Sequence, residues 1–214
     1  MKIVIADDHA VVRQGYSSLL SAMLAPCEVL EAANGDQAFQ LCQTDSPDLV
    51  IMDVNMKGIS GIEATRRILQ RNSDIRILFF SMYDEIPVVT QALEAGAKGY
   101  ITKSCTPEIL IEAVTKVAAG QLYVEHELAM RLAVSRPEQK DTRLHDMTQR
   151  EFEIFVMLAQ GSNVKEISEQ LCISSKTVSN YTAILKSKLN IGSIAELVHV
   201  AIEAGLVKVG NNVS

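Results

Sequence analysis

No apolar run in the 214 residues approaches the ~18 that would suggest a membrane span. The opening KIVIA is stopped at once by Asp7 and Asp8, unlike a secretory signal, so the expected location is the cytoplasm, with no membrane partner. The four cysteines, Cys27, Cys42, Cys105 and Cys172, show no C-x-x-C spacing and no histidine at zinc-finger distance. Buried free thiols are expected, not disulfides or zinc ligands. Internal repeats and low-complexity segments are also missing, which excludes a solenoid. A basic excess is absent too: residues 1–120 hold fifteen acids and ten bases and residues 121–214 eleven and ten, so neither part is a nucleic-acid domain by net charge. One local absence points the other way. From Gln170 to Ala195 there is no acid, and Lys176, Lys186 and Lys188 fall in that window.

What is present is a fivefold alternation of short apolar runs and helical patterns. The runs lie near 2–6, 28–32, 48–52, 75–80 and 98–101, and each is followed by a helical stretch. This predicts an α/β fold with a doubly wound, five-stranded parallel sheet. LVIM and ILFF are continuously apolar, as strands covered on both faces should be. Val12, Tyr16, Leu19 and Met23 recur at helical steps, and Thr106 and Pro107 open a fifth helix that stops at Gly120. A further helix is expected over 125–134. Ser135 to Asp146 then carries six charges and one large apolar residue, Leu144, so it reads as a solvated tether. The expected domains are 1–121, a linker over 122–146, and a small all-α domain over 147–209.

That last domain is marked by caps. Thr148-x-x-Glu151, Asn163-x-x-Glu166 and Ser193-x-x-Glu196 each set an acid three residues after a good N-cap, and Ser174 caps a further helix with Ile173 and Val178 as its staple. Four helices follow, about 148–160, 164–171, 175–189 and 194–204.

Four polar signals stand at strand ends: Asp7-Asp8, Asp53, Ser81 and Lys103. Parallel strands release their chains at one edge, where ligands bind at the switch in strand order, so these side chains are expected to converge. Three carboxylates together repel unless a cation lies between them, and oxygen-only ligation suits Mg²⁺. A lysine beside such a cation would neutralise a phosphoryl group in transfer. Asp53 would be the nucleophile, and Ser81 a hydrogen-bond donor to a phosphoryl oxygen. A lone strand-end Asp is more often a helix cap, but five positions at four strand ends are hard to explain that way.

With Met56, Gly61 and the GYITKS segment added, residues 1 to about 120 resemble the receiver domain of two-component response regulators, a flavodoxin-like fold. The resemblance implies that Asp53 accepts a phosphoryl group from a sensor histidine kinase. It implies that Asp8, Asp53 and the Asn55 backbone carbonyl bind Mg²⁺, with Asp7 acting through water. Ser81 and Tyr100 would form the switch. Lys57 stands where the family usually has proline, which makes the loop after Asp53 looser and more positive.

In the third helix of the small domain, Val178, Tyr181, Thr182, Leu185 and Leu189 share a core face. Lys176, Ser179, Asn180, Ala183 and Ser187 lie opposite, with Lys186 and Lys188 on the flanks. An acid-free face of small polar groups suits a DNA major groove, with short side chains at base edges and ammonium groups on phosphates. Residues 147–207 resemble the LuxR-type helix-turn-helix through Thr148-x-Arg150-Glu151, Gly161, Lys165-Glu166-Ile167, Ile173-Ser174, Thr177-Val178, Lys188-Leu189 and Ala204-Gly205-Leu206. Lys165, Lys176, Thr177, Ser179, Asn180, Ala183, Lys186 and Lys188 are the expected DNA contacts. Ser175, Val164 and Tyr181 depart from a frequent proline, asparagine and histidine, so no operator sequence is carried over.

The whole chain thus resembles a NarL/FixJ-type response regulator, which implies transcription control and no catalysis beyond self-phosphorylation and slow self-dephosphorylation. In the last helix only Glu196, His199 and Glu203 are polar among interior positions, leaving surplus apolar surface. Val198 and Ile202 are the expected contacts of an active homodimer, and RNA polymerase is a further candidate partner. Two rivals stand against this reading. A magnesium-dependent phosphatase would use the same acids but usually carries a second Asp where Asn55 stands. An interaction module that never meets DNA would not need the acid-free helix.

Overall fold

In this computed structural model, residues 1–134, 144, 147–171, 173–204, 206 and 207 are described. They form two compact units, 1–134 and the residues from 135 onward. The proposed tether lies outside the described residues apart from Leu144, as do Cys172 and Gly205.

Six parallel strands build the first unit: β1 Lys2–Ala6, β2 Glu28–Ala32, β3 Leu49–Met52, β4 Arg76–Ser81, β5 Gly99–Thr102 and β6 Tyr123–Val124. Their order is β2-β1-β3-β4-β5-β6. The expected five-stranded sheet is thereby corrected to six. The added strand pairs Tyr123 with Gly99 and Val124 with Tyr100. Two residues are too few to show a strand period, so only the ladder reveals it.

Helices α1 Ala10–Met23, α2 Gly35–Asp45, α3 Gly61–Arg71, α4 Ile86–Glu94 and α5 Pro107–Ala118 connect the first strands, and α6 His126–Val134 follows β6. Strand side chains alternate between faces. Ile3, Ile5, Leu49, Ile51, Leu78, Phe80 and Ile101 pack with Leu20 of α1 and Leu110, Ala113, Val114 and Val117 of α5. Val4, Val50, Ile77 and Phe79, also fully buried, belong to the opposite face. Covering both faces explains why the central strands read as unbroken apolar runs.

Thr106 is the N-cap of α5 with Pro107 at its first turn, as expected, but its side chain makes no cap hydrogen bond to the helix. Among the described cysteines, Cys42 is buried and burial pushes its thiol up to about 12. Cys27 and Cys105 are only half-buried.

The second unit contains α7 Gln149–Ala159, α8 Val164–Gln170, α9 Ser175–Leu189 and α10 Ile194–Glu203. Thr148–Glu151 and Asn163–Glu166 are reciprocal capping boxes. In the third box Ser193 accepts from the Glu196 amide, but the Glu196 carboxylate accepts from the Ser193 hydroxyl at 2.8 Å and the Gly192 amide at 3.0 Å in place of the Ser193 amide. Ser174 caps α9 by accepting from the Thr177 amide.

Candidate functional site: an acidic sheet edge and a basic helix

Each acidic residue is aimed by the strand that ends just before it. The Asp7 amide donates to Ala32 O at 3.1 Å and the Asp53 amide to Ala6 O at 2.9 Å, continuing the β1 ladders one residue beyond the strands. The Lys103 amide likewise donates to Ser81 O at 2.8 Å. The strand order reverses about β1 and β3, so Asp7, Asp8 and Asp53 flank the crevice at that switch. Gly61 lets the next helix approach. A Cβ there would stand 1.9 Å from the Asp53 carbonyl oxygen, so any side chain would drive the loop off.

The predicted convergence of acids and lysine is present. Lys103 Nζ lies 2.6 Å from both Asp7 Oδ2 and Asp53 Oδ2, with all three side chains buried. Burial pushes the Asp53 carboxyl above its ordinary 3.8, the Lys103 ammonium opposes this, and the Asp7 charge adds to it. Burial pulls the Lys103 ammonium down, yet Asp53 and Asp7 outweigh that and raise it. The site is therefore a buried cation bridging two carboxylates.

Asp8 is the exception. Its Oδ1 is buried without a hydrogen-bond partner. His9 Nδ1 stands 3.0 Å away, but that approach lacks hydrogen-bond geometry, so the orphaned oxygen is the better description. An unsatisfied carboxylate oxygen beside two more carboxylates, with oxygen the dominant donor, fits a hard divalent cation. His9, which sequence reasoning passed over, stands at the N-cap position of α1 without a side-chain cap bond, and its amide donates to Asp7 Oδ1 at 2.8 Å.

Ser81 and Tyr100 are fully buried, and both contact Tyr83 in the loop after β4. The Tyr83 amide donates to Ser81 Oγ at 3.4 Å, and the Tyr100 hydroxyl donates to the Tyr83 carbonyl at 2.7 Å. Burial holds the Tyr100 phenol well above its usual range, so it remains a donor. The Asn55 amide donates to the Tyr83 hydroxyl at 3.3 Å, which ties the loop after β3 to the loop after β4. An amide held in this way cannot supply the second acid that the phosphatase rival needs.

On the second unit, Lys176, Ser179, Asn180, Ala183 and Ser187 are exposed along one side of α9, while Val178, Leu185 and Leu189 are buried on the other. Lys165 is also open. Five expected contacts already have partners: the Ser179 hydroxyl donates to Ser175 O at 2.9 Å, and Lys165 Nζ lies 3.9 Å from Glu169 Oε1. The Thr177 hydroxyl shares a hydrogen bond with Ser174 at 2.8 Å, inside the cap, and Lys186 Nζ donates to Gly192 O at 3.2 Å. Lys188 Nζ sits 2.7 Å from Glu151 Oε2, whose side chain is 6% exposed. Helical angle alone could not show that this flank meets the start of α7.

That pair changes what Lys188→Ala should do. Burial pushes the Glu151 carboxyl up, but the Lys188 bond and the Thr148 amide win and leave it lowered. The variant leaves a buried carboxylate without its cation. It should lose about 1–3 kcal/mol, discounted because Lys188 is partly open to water. A lowered carboxylate contributes stability above its unfolded value and loses it as pH falls through the folded one. Chemical unfolding should therefore show the wild-type advantage at neutral pH and its disappearance below the ordinary Glu value of 4.5.

Comparison with known proteins finds matches along both parts of the chain. Residues 3–115 match the response regulator receiver domain, and residues 145–201 match the bacterial regulatory proteins of the luxR family. The transcriptional activator protein ExaE of Pseudomonas putida is 49% identical over 98% of this chain and 99% of its own length. The response regulator UvrY of Escherichia coli K12 is 37% identical over 96% of this chain and 95% of its own. A solved LuxR-family response regulator from Aurantimonas is 38% identical, covering 62% of this chain and 94% of that one, with a TM-score of 0.59. RcsB of Salmonella enterica serovar Typhimurium, bound to promoter rprA, shares the fold at TM-score 0.63 and 21% identity, covering 97% of this chain and all of that one.

A receiver carrying an acidic edge, followed by a helix-turn-helix, defines a transcriptional response regulator. The chain belongs to the NarL/FixJ-type response regulators of two-component systems. A receiver implies a histidine kinase as partner, and a LuxR-type domain implies DNA. The receiver family's acidic pocket takes Mg²⁺, and here the matching carboxylates cluster. Among the described residues no helix is long and apolar enough to cross a membrane.

Proposed function

We propose that Asp53 is the phosphoacceptor and that its phosphorylation by a sensor histidine kinase controls dimerisation and sequence-specific DNA binding. The observation that carries this is the buried Asp53 carboxylate held 2.6 Å from Lys103 beside the orphaned Asp8 oxygen. Asp8, Asp53 and the Asn55 carbonyl would hold Mg²⁺, with Asp7 acting through water. The metal supplies charge neutralisation of the phosphoryl oxygens. The Asp53 carboxylate attacks phosphorus, the P–N bond to the kinase's histidine breaks and the imidazole leaves, while Lys103 shifts its contact from carboxylate to phosphoryl oxygen and the Ser81 hydroxyl donates to another. When Ser81 moves it draws on the Tyr83 amide, and so on the Tyr100 hydroxyl that the same residue holds. Turnover by water is slow self-dephosphorylation, the only reaction beyond self-phosphorylation. Residues 1–121 act as the receiver, 122–146 as the linker and 147–209 as the DNA-binding domain, and the protein works in the cytoplasm.

DNA is read by the exposed side of α9. Asn180, Ser179 and Ala183 face base edges, and Lys176, Lys165 and Lys186 meet phosphates, with Thr177 and Lys188 supporting that face from within. Val198 and Ile202 are half-buried beside the buried Leu197, Val200 and Ala201, and they form the dimer strip that spaces two half-sites. RNA polymerase is the partner expected once a promoter is occupied.

Footprinting of genomic fragments with phosphorylated protein tests the reading. Asn180→Ala should change which sequences are protected. Lys176→Ala should weaken all of them and reduce the salt slope by about one. Val198→Lys should stay folded but lose paired occupancy of two half-sites. Phosphorylated protein that protects no fragment would refute the DNA assignment.

A further inference from the structure

We infer that Arg13 is a positioning residue of the acidic site, clamping the Asp7–Asp8 turn so that both carboxylates face a divalent cation; this rests on the acidic-site reading proposed above. Arg13 is the lone charged residue between His9 and Cys27, on a helix otherwise apolar, small or neutral. Its side chain is only 13% exposed. Instead of running out to water it turns back: Nη1 donates to the Asp7 carbonyl at 2.6 Å, and Nε donates to Glu31 Oε2 at 3.0 Å.

Each contact has a geometric consequence. The β1–β2 register ends at Ala6 opposite Ala32, so the Asp7 carbonyl lies past the ladder, and among the described residues no backbone amide donates to it. Arg13 supplies the missing donor. The Asp7 carbonyl and the Asp8 amide share one planar peptide, so holding the first fixes the plane from which the Asp8 side chain departs. From the other side the His9 amide and ring hold Asp7 Oδ1, at 2.8 and 3.2 Å. Glu31 belongs to β2, so the guanidinium fork fastens the turn to a neighbouring strand. A rigid planar fork can hold two acceptors at a fixed angle, which a lysine cannot do. The orphaned Asp8 oxygen is what this clamp presents.

Partners one shell outside a metal commonly change affinity by about 10–100-fold. The test uses the full chain and magnesium chloride, with isothermal titration calorimetry for Mg²⁺ affinity and phosphoryl uptake from acetyl phosphate measured against Mg²⁺ concentration. Arg13→Ala should bind Mg²⁺ about tenfold more weakly, with its uptake curve shifted to higher Mg²⁺ but reaching close to the wild-type plateau. Arg13→Lys, which keeps a donor for the carbonyl, should recover part of the affinity. Glu31→Ala, a change at a partly open strand position, should lose less than Arg13→Ala, at most about tenfold, and decides the matter if Arg13→Ala does not fold. Mg²⁺ affinity within twofold of wild type in the folded variants overturns the clamp, as does a lower plateau with no shift along the Mg²⁺ axis. A wild-type protein that binds no Mg²⁺ overturns the acidic-site reading and the clamp with it, whereas normal wild-type binding with unaltered variants overturns the clamp alone.

Discussion

Asp53→Asn should take up no phosphoryl group from acetyl phosphate or from a kinase, because a neutral amide cannot attack phosphorus as the carboxylate does. The substitution is nearly isosteric, and the amide that aligns residue 53 donates from the backbone to Ala6 O, so the loop should keep its course. What changes is charge. Lys103 now bridges one carboxylate and one amide, and burial no longer opposes an ionised group at position 53. Intact-mass spectrometry should show wild-type protein gaining about 80 Da and the variant gaining none. A variant that carries the adduct at the wild-type level would place the phosphoacceptor elsewhere.

Asp7, Asp8, Asp53, Ser81 and Lys103 were legible in the sequence because strands speak in unbroken apolar runs and a parallel sheet opens all of them at one edge. The caps at Thr148, Asn163 and Ser174 were legible for a similar reason, since a cap is a local event within four residues. Long-range polar pairs leave no such trace. Arg13 reads as an ordinary exposed charge on an amphipathic helix until β2 brings Glu31 beside it. Lys188 has the helical angle of a DNA-facing flank, yet the packing of α7 against α9 gives it a carboxylate. Thr102 shows the same limit. Its amide and hydroxyl both donate to Glu125 at 2.8 Å, a bond that exists only because the two-residue β6 returns the chain to β5.

Lys103→Ala should separate metal binding from response and reverse the usual order of stability. In the wild type its ammonium is 2.6 Å from two buried carboxylates, so it occupies the charge position that a divalent cation would also serve. Removing it leaves Asp7 and Asp53 buried and mutually repelling, which should cost up to about 3–5 kcal/mol in metal-free protein. The cost depends on pH. Asp53 already has a raised carboxyl, and a raised group contributes stability that is full below its unfolded value and lost as pH rises through the folded one. Without Lys103 the carboxyl rises further, so the deficit should be small near or below the ordinary Asp value of 3.8 and grow toward neutrality. Saturating Mg²⁺ should remove most of it, because the metal replaces the missing positive charge and binds the folded state alone. Mg²⁺ should bind the variant at least as tightly as wild type, having lost its competitor. Phosphoryl uptake should nonetheless uncouple from DNA binding, since Ser81 and the metal still hold the transferred group but the lysine that would draw it toward the loop after β5 is gone. Thermal unfolding with and without Mg²⁺ at two pH values decides this: a deficit that Mg²⁺ leaves unchanged would mean that Lys103 supports the fold through packing and not through charge.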